Sequence, residues 1–314
     1  CMVVSMYDQA FTDKAIDLAR ENNLKLVTYS ELEANLINFS RYLSTYIENF
    51  EHFDLLIQNM RYPIVDQLQW IDLHKYFVEL RCSDVIGTNR DKKLTEYVID
   101  WISNPTKRHL SILGDYGTGK TSFCLFLTYL LCKDYISNPS QGRIPVFFPL
   151  RDCDPNTNLR TFIIDKLSQY QIILGDYQAF EKMLQAGRLL LIFDGFDELV
   201  EATDQQTALK RFREISRLSK GKSKIILTCR TQYFKSEKQS LDLLVPETMT
   251  PFMLELSRKS EYTISEILEF NEGQILDLIS RHTQDADAYW KRIKSIYNLE
   301  DLSSRPILLN MIIE

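Results

Sequence analysis

The segment His109–Thr121 constrains this chain more than any other, because an apolar stretch runs directly into a glycine-rich turn. Its end has the spacing Gly-x-x-x-x-Gly-Lys-Thr, from Gly114 to Thr121. Such a turn between a strand and a helix lets successive backbone N–H groups face inward around a phosphate group. The lysine adds a mobile positive charge, the threonine hydroxyl is a ligand for Mg²⁺, and the following helix directs its positive end at the anion.

This pattern predicts a site for the phosphates of a nucleotide, together with Mg²⁺. Three of the ten glycines of the chain fall in the turn, where side chains would block the close approach of a ligand. The alternative is a glycine turn between strand and helix that holds no ligand. The residues expected to bind the nucleotide phosphates are Gly114, Asp115, Tyr116, Gly117, Thr118, Gly119, Lys120, Thr121 and Ser122.

A second apolar run, Leu189–Phe193, ends in a group of acidic residues. A run that is apolar on both faces is typical of a buried strand in a parallel sheet, whose carboxyl edge carries the ligand site. Asp194 is then expected to hold Mg²⁺ together with Thr121. Glu198, or alternatively Asp197, would orient or deprotonate the water that attacks the γ-phosphate. The alternative is a strand followed by a solvated acidic turn.

A third apolar strand, Lys224–Cys229, is followed by a cation, Arg230. A positive side chain at the carboxyl edge of a strand can sense the γ-phosphate or offset charge that develops in the transition state. The alternative for Arg230 is a surface position in which it pairs with a neighbouring acid. The three strands together indicate an α/β fold with a parallel sheet.

These motifs resemble those of NACHT-type NTPases, which belong to the signal-transducing ATPases with numerous domains. The form Asp-Gly-Phe-Asp-Glu, from Asp194 to Glu198, is specific to that family. Ile144–Arg151 resembles the second strand of the family, and Phe270–Ile275 resembles the opening of its small helical subdomain. The resemblance covers about residues 75 to 314. One departure is Thr231, which stands where many relatives have proline.

The resemblance implies a P-loop NTPase sheet with a small helical subdomain and a cycle between ADP-bound and ATP-bound states. Pro306, in the segment Ser304–Leu309, would pack on the adenine, and Tyr76–Leu80 would lie near the base. Slow ATP hydrolysis is expected, with self-oligomerisation after a C-terminal sensor meets a foreign, phage-derived ligand. No internal repeat of the kind used by such sensors is evident in the chain.

The first forty residues resemble the C-terminal tail of a Mrr-like restriction-endonuclease domain. The similarity rests on Val3–Ser5, Phe11–Ala19 and Leu24–Leu32. These segments predict a strand, a helix, a strand over Leu24–Thr28 and the start of a further helix. The alternative is an unrelated α/β effector or dimerisation element. In the nuclease family the metal-binding residues precede this tail, so we expect an excised chain with a partial effector remnant and without nuclease activity of its own.

Four domains are predicted from these patterns. Residues 1–40 form the α/β effector remnant, and residues 41–80 a helical connector with apolar residues at helical spacing. Residues 81–255 form the NACHT nucleotide-binding domain, and residues 256–314 its helical subdomain. A capping box, Ser30-x-x-Glu33, predicts a further helix start in the remnant.

Composition favours a cytoplasmic protein that does not interact with membranes. The apolar stretches are too short and interrupted to span a bilayer, no secretory signal pattern is present, and six cysteines show no metal spacing. The net charge of -6 argues against a generally basic surface that binds nucleic acid. It is compatible with a local basic groove.

The sequence therefore predicts a nucleotide-dependent switch from a bacterial antiphage defence protein that controls a nuclease effector, with DNA as the effector substrate. The competing hypothesis is an ATPase of a restriction system that DNA stimulates. A scaffold without NTPase activity is disfavoured because Lys120, Thr121, Asp194 and Glu198 are all present.

Overall fold

The computed structural model describes residues 2–5, 11–28, 37–51, 73–84, 91–139, 142–154, 156–201, 205–231 and 260–313. The strands in these ranges are β1 Met2–Ser5, β2 Lys25–Thr28, β3 Arg81–Asp84, β4 Lys92–Lys93, β5 His109–Leu113, β6 Ile144–Pro149, β7 Leu189–Asp194, β8 Lys224–Cys229 and β9 Tyr262–Ile267.

Seven strands form one mostly parallel sheet in the order β4-β3-β9-β5-β8-β7-β6. The five strands from β9 to β6 pair in parallel, and β3 joins β9 in antiparallel orientation. Strand β5 therefore lies between β9 and β8, so the turn that follows β5 opens near the middle of the carboxyl edge. Ligand sites of open α/β sheets lie at this edge.

The central strands are apolar on both faces because helices cover both sides of the sheet. Every residue of β5, β6, β7 and β8 is buried. This confirms the α/β fold and the buried parallel strands that the sequence predicted. The covering helices are α4 Leu94–Ser103, α5 Lys120–Ser137, α6 Leu159–Gln169, α7 Tyr177–Gln185, α8 Phe196–Glu201 and α9 Gln205–Arg217.

The N-terminal residues form a separate two-stranded parallel sheet. Strands β1 and β2 pair from Met2 with Lys25 to Ser5 with Thr28, and helix α1, Asp13–Glu21, connects them. The side chain of Thr12 caps α1 by accepting from the N–H of Ala15, as expected for a threonine at this position. The predicted capping box at Ser30 and Glu33 lies outside the described residues.

Within the connector 41–80, the structure describes helix α2, Ser40–Glu51, and the short helix α3, Leu73–Tyr76. Helix α2 packs on α5 through Phe50, whose ring stacks on Tyr129 with centroids 4.3 Å apart. After α3, Phe77 stacks on Phe126 of the same helix at 3.9 Å. The described parts of the connector therefore pack directly on the helix that follows the glycine-rich turn.

The C-terminal residues form four helices, α10 Glu272–His282, α11 Ala286–Lys294, α12 Leu299–Leu302 and α13 Pro306–Ile313. Asn271 begins α10 with a capping box that includes Gln274. Strand β9 also falls in the range 256–314, which the sequence assigned to the helical subdomain. Its pairing with β5 instead makes residues 262–267 part of the seven-stranded sheet, where β9 covers the edge of β5 that faces away from β8.

Among the described helices, none combines the length and the apolar character needed to cross a bilayer.

Candidate functional site

The glycine-rich loop between β5 and α5 has a backbone that only glycine adopts easily. Gly117 and Gly119 have φ angles of +78° and +92°, in the region where a Cβ atom would be strained. A Cβ added at Gly117 would lie 2.3 Å from Cγ2 of Ile307. Gly119 directly precedes α5, so the loop leads into the positive end of an 18-residue helix, where anions are stabilised.

Lys120 folds back over this loop. Its Nζ donates to the carbonyl oxygens of Gly114 at 2.6 Å and Asp115 at 3.0 Å, and the hydroxyl of Thr118 donates to the same Asp115 oxygen at 2.9 Å. The ammonium group thus lies on the loop itself, within reach of an anion that the loop would hold.

Asp194 and Thr121 meet directly, although 73 residues separate them. The Thr121 hydroxyl donates to Oδ2 of Asp194 at 2.7 Å, and the Thr228 hydroxyl donates to Oδ1 at 2.6 Å. The N–H of Gly195 donates to the Thr228 hydroxyl oxygen at 2.9 Å. Asp194 is buried, and burial raises its pKa while the two hydroxyl groups lower it.

A polar recess joins this pair to Glu198. Burial raises the pKa of Glu198, and the charges of Asp194 and Asp197 raise it further, whereas Arg151 and Arg230 lower it. A carboxylate with a raised pKa is better matched to proton transfer than an exposed one. The residues that line the recess are Thr121, Phe147, Pro149, Arg151, Asp194 and Glu198.

Asp197 faces a different partner from Glu198. Its Oδ2 lies 2.8 Å from Nε of Arg230, and a second nitrogen of that guanidinium lies 2.7 Å from Oε1 of Glu201. The guanidinium also lies 6.0 Å from the ring centroid of Tyr116. In this structure Arg230 therefore adopts the ion-paired arrangement that the sequence left open as an alternative, next to the loop.

Pro306 reaches the loop from the helical subdomain. A Cβ added at Gly119 would lie 4.0 Å from Cγ of Pro306 and 3.4 Å from Cδ1 of Leu80. The next residue, Ile307, donates its N–H to the carbonyl of Gly117 at 3.4 Å. Pro306 and Leu80 thus flank the loop together, whereas the ring of Tyr76 stacks on His282 at 4.1 Å.

Comparison with known families identifies the domain that carries this site. Residues 108–286 match the NACHT domain. The chain belongs to the NACHT family. The match begins one residue before β5 and extends to the first residue of α11, so it includes the glycine-rich loop, Asp194, Glu198 and Arg230.

Known proteins and solved structures are similar to parts of this NACHT chain. It is 30% identical over 237 residues to an uncharacterized WD repeat-containing protein of Nostoc sp. (strain PCC 7120), which covers 73% of the chain but 15% of that protein. Among solved structures, replication initiator DnaA bound to AMPPCP and single-stranded DNA is similar with a TM-score of 0.37 and 16% identity, covering 69% of this chain and 58% of that one. PCH-2 of C. elegans is similar with a TM-score of 0.33 and 10% identity, covering 62% and 47%.

Three residues of the NACHT site were not singled out from the sequence. Thr228 contacts Asp194, Arg151 lines the recess, and Ile307 contacts the loop. Thr228 and Arg151 each lie near the carboxyl end of an apolar strand. A polar residue at that position can indicate a ligand site, so the sequence offered a signal for both. The resemblance of Ser304–Leu309 to a motif that packs on adenine indicates that this segment lies near the site, but it does not indicate that Ile307 itself contacts the loop.

The side chains at Asp194 are suited to Mg²⁺ chemistry. The Thr121 hydroxyl and the Asp194 carboxylate both offer oxygen atoms, the donor type that Mg²⁺ prefers, and Mg²⁺ commonly takes only one or two protein ligands beside phosphates and water. Within the described ranges no group of three or more His, Cys, Asp or Glu side chains could hold a metal ion. The pair Thr121 and Asp194 therefore fits a cation that a nucleotide brings with it.

Proposed function

We propose that this NACHT chain is a nucleotide-dependent switch that binds ATP and ADP with Mg²⁺ and hydrolyses ATP slowly. The observation that carries this proposal is the meeting of Thr121, Asp194 and Glu198 in one recess beside the loop that holds Lys120. An NTPase needs phosphate binding, an oxygen site for Mg²⁺ and a carboxylate for the attacking water in this proximity.

Each residue has a role that its contacts support. Lys120 would exchange the two loop carbonyls for phosphate oxygens, a stronger charge-assisted contact. Thr121 and Asp194 would hold Mg²⁺, which offsets the charge of the phosphates. Glu198 would accept a hydrogen bond from the attacking water, and Arg230 would exchange Asp197 or Glu201 for the γ-phosphate. Pro306 and Leu80 would form the apolar walls for the base.

The contact between helix α13 and the loop supports a switch. Ile307 touches Gly117 with both its side chain and its backbone N–H. A change in the loop on nucleotide binding would therefore act directly on the helical subdomain. If this contact differs between the ADP-bound and ATP-bound states, the nucleotide shifts the population of the two conformations.

The parent protein is proposed to act in bacterial antiphage defence, in the cytoplasm. Support comes from the resemblance of residues 1–40 to a Mrr-like nuclease tail, and from a relative whose name describes WD repeats, which would serve as the sensor of a foreign ligand. In this proposal the ATP-bound state self-oligomerises and the nuclease acts on DNA.

The test separates a switch from a DNA-stimulated ATPase. Nucleotide extracted from the purified chain is identified by chromatography, and phosphate release is followed with and without DNA. A switch should retain ADP or ATP through purification and turn over slowly, with DNA leaving the rate unchanged. Absence of bound nucleotide together with strong stimulation by DNA would instead identify a restriction-type ATPase.

A further inference from the structure

Positively charged residues precede four neighbouring strands at the amino edge of the sheet. The glycine-rich loop Gly114–Thr121, the proposed phosphate loop, lies at the opposite edge. Arg108 directly precedes β5, Arg188 directly precedes β7, and Arg143 directly precedes β6. Lys222 lies two residues before β8, the strand between β5 and β7. Neighbouring strands are about 4.8 Å apart, so these four residues, the basic edge, extend over about 15 Å.

The strand register brings three of these cations to the same level. Lys224 pairs with Leu190, and Leu189 pairs with Ile144, which places Lys222, Arg188 and Arg143 side by side. The contacts agree, because a nitrogen of the Arg143 guanidinium donates to the Lys222 carbonyl at 2.8 Å.

The same three residues surround Gly187. A Cβ added at Gly187 would lie 2.9 Å from Cβ of Lys222 and 3.0 Å from a guanidinium nitrogen of Arg143. The Arg188 guanidinium donates to the carbonyl of Pro139 at 3.2 Å. The charged groups are therefore held in place by uncharged backbone oxygens.

Acidic partners do not balance these cations. Among the described residues, no ion pair includes Arg143, Arg188 or Lys222, and only Arg108 is paired, with Glu261 at 3.1 Å. Burial lowers the pKa of Arg143, and the neighbouring charge of Arg188 lowers it further. Like charges that lie together without acids carry a repulsion that an anion would relieve.

Lys224 lies beside this group of positive charges. Burial, and then the charges of Arg143, Arg108 and Lys107, lower its pKa to about 8. Its Nζ donates to the carbonyls of Trp101, Asn104 and Lys107, so it closes the end of helix α4 and is not free for a ligand. The chain as a whole has a net charge of -6, so the basic edge is a local positive region of a negatively charged protein.

We propose that the basic edge binds the sugar–phosphate backbone of a nucleic acid. A polymer with one negative charge on every unit matches a row of cations at regular spacing, and guanidinium groups form paired hydrogen bonds with phosphate oxygens. Contacts with phosphates carry no sequence information, so binding does not depend on base sequence. This site is separate from the nucleotide site and lies at the opposite end of the same strands.

The test uses fluorescein-labelled oligothymidylate and fluorescence anisotropy over a series of salt concentrations. Saturating ADP and Mg²⁺ are present throughout, so that the phosphate loop does not compete for the probe. Each contact with a single-strand phosphate contributes about -0.7 to the slope of log K against log salt. Replacing both Arg143→Gln and Arg188→Gln should therefore weaken binding at low salt at least about tenfold and make the slope less steep by about 1.4.

Two further variants keep this result interpretable. Lys291→Gln with Arg292→Gln removes the same charge from exposed positions on α11 and should leave binding and slope nearly unchanged. If the double arginine variant does not fold, Lys222→Gln removes one exposed cation of the basic edge and should weaken binding in the same direction, with a slope less steep by about 0.7. The proposal would be overturned if the α11 variant weakened binding equally, or if the unmodified chain did not bind the oligonucleotide at low salt. It would also be overturned if polyglutamate, a different polyanion, competed with the oligonucleotide as effectively as unlabelled oligothymidylate.

Discussion

At the scale of single residues, the carboxylates behind the phosphate loop differ in what they face. Asp194 is held by two hydroxyl groups, Asp197 by a guanidinium, and Glu198 lies in the recess with Thr121 and Arg151. A carboxylate in a charge-assisted contact with a guanidinium is less free to hold a water molecule. The geometry therefore favours Glu198 over Asp197 for the proposed role of positioning water.

Glu198→Gln should separate binding from hydrolysis. The amide keeps the size of the side chain but cannot accept a proton, so nucleotide affinity should persist while turnover falls about 100-fold or more. Calorimetry gives the affinity, and phosphate release gives the rate. Asp197→Asn is the matched comparison; if it stops turnover and Glu198→Gln does not, the two roles are exchanged.

Arg151→Gln should change the pH dependence of hydrolysis. Glu198 must be deprotonated to accept a proton, and the positive charge of Arg151 lowers its pKa against the effect of burial. Without that charge the pKa rises, so a larger fraction of Glu198 is protonated at acidic pH. The acid side of the rate profile should then move to higher pH, while the rate at the alkaline plateau is kept.

Arg151→Lys keeps the positive charge and should restore the original profile. An unchanged profile in Arg151→Gln would mean that Arg151 does not act on the charge of Glu198.

Arg230 should decide how strongly the site prefers ATP over ADP. Arg230→Ala removes the group proposed to reach the γ-phosphate, and the ratio of the two affinities should shrink by about tenfold. Glu201→Gln removes one of the two acids that hold the guanidinium and should keep or increase the ratio. Titrations with ADP and a non-hydrolysable ATP analogue measure both effects. An equal ratio of affinities in the unmodified protein, Arg230→Ala and Glu201→Gln would mean that Arg230 only forms ion pairs and does not contact the γ-phosphate.

At the scale of elements, strand β5 has an unusual first residue. His109 is buried, both ring nitrogens lack a hydrogen-bond partner among the described residues, and its ring stacks on Tyr262 of β9 at 4.1 Å. Burial lowers its pKa to about 3, so the side chain is neutral in the folded protein near pH 7. The neutral His109 ring therefore links β5 to β9 by stacking on Tyr262 and not by an ionic contact.

His109→Phe should make the protein less sensitive to acid. In the unfolded chain His109 has a pKa of about 6.5, so below this value the unfolded state binds a proton that the folded state does not. The free energy of unfolding should fall by up to about 1.4 kcal/mol for each pH unit below 6.5. Phenylalanine keeps the stacking but cannot be protonated, and urea midpoints at pH 7 and pH 5 compare the two proteins. The same pH dependence in both would exclude His109 as the cause.

At the scale of the whole molecule, the phosphate loop is a point where several parts of the chain meet. Leu80 from the connector and Pro306 from the helical subdomain both lie beside Gly119. The segment before Leu80 is fixed in turn by α10, because Gln274 donates to the carbonyl of Glu79 at 2.8 Å. A ligand at the loop would therefore contact a surface to which three regions contribute.

Nucleotide should accordingly stabilise the whole domain. ADP with Mg²⁺ at about 100 times its dissociation constant adds about 2.7 kcal/mol to the free energy of unfolding, which a thermal shift measures. Lys120→Ala should lower the affinity by about 2–4 kcal/mol, which leaves about 0.9 kcal/mol of stabilisation or less at that concentration. Lys182→Ala, an exposed position on α7, is the control and should show the full shift. A full shift in Lys120→Ala would contradict phosphate binding by this loop.

The sequence by itself determined the features that depend on local patterns. Glycines at Gly117 and Gly119, and the apolar runs of β5, β7 and β8, were sufficient to predict the loop and the buried strands. The acidic motif Asp194–Glu198 carried the NACHT resemblance. These signals are strong because backbone conformation and burial act on neighbouring residues. Helix α10 begins within Phe270–Ile275, the segment that resembles the opening of the helical subdomain.

Only the tertiary structure decided which distant side chains meet. It pairs Arg230 with Asp197, brings Thr228 to Asp194 and Ile307 to Gly117, and inserts β9 beside β5. It also gathers the cations of the basic edge from four separate segments. Such contacts follow from strand order and helix packing, which no short stretch of sequence contains, because residues far apart in the chain become neighbours only when the sheet is assembled.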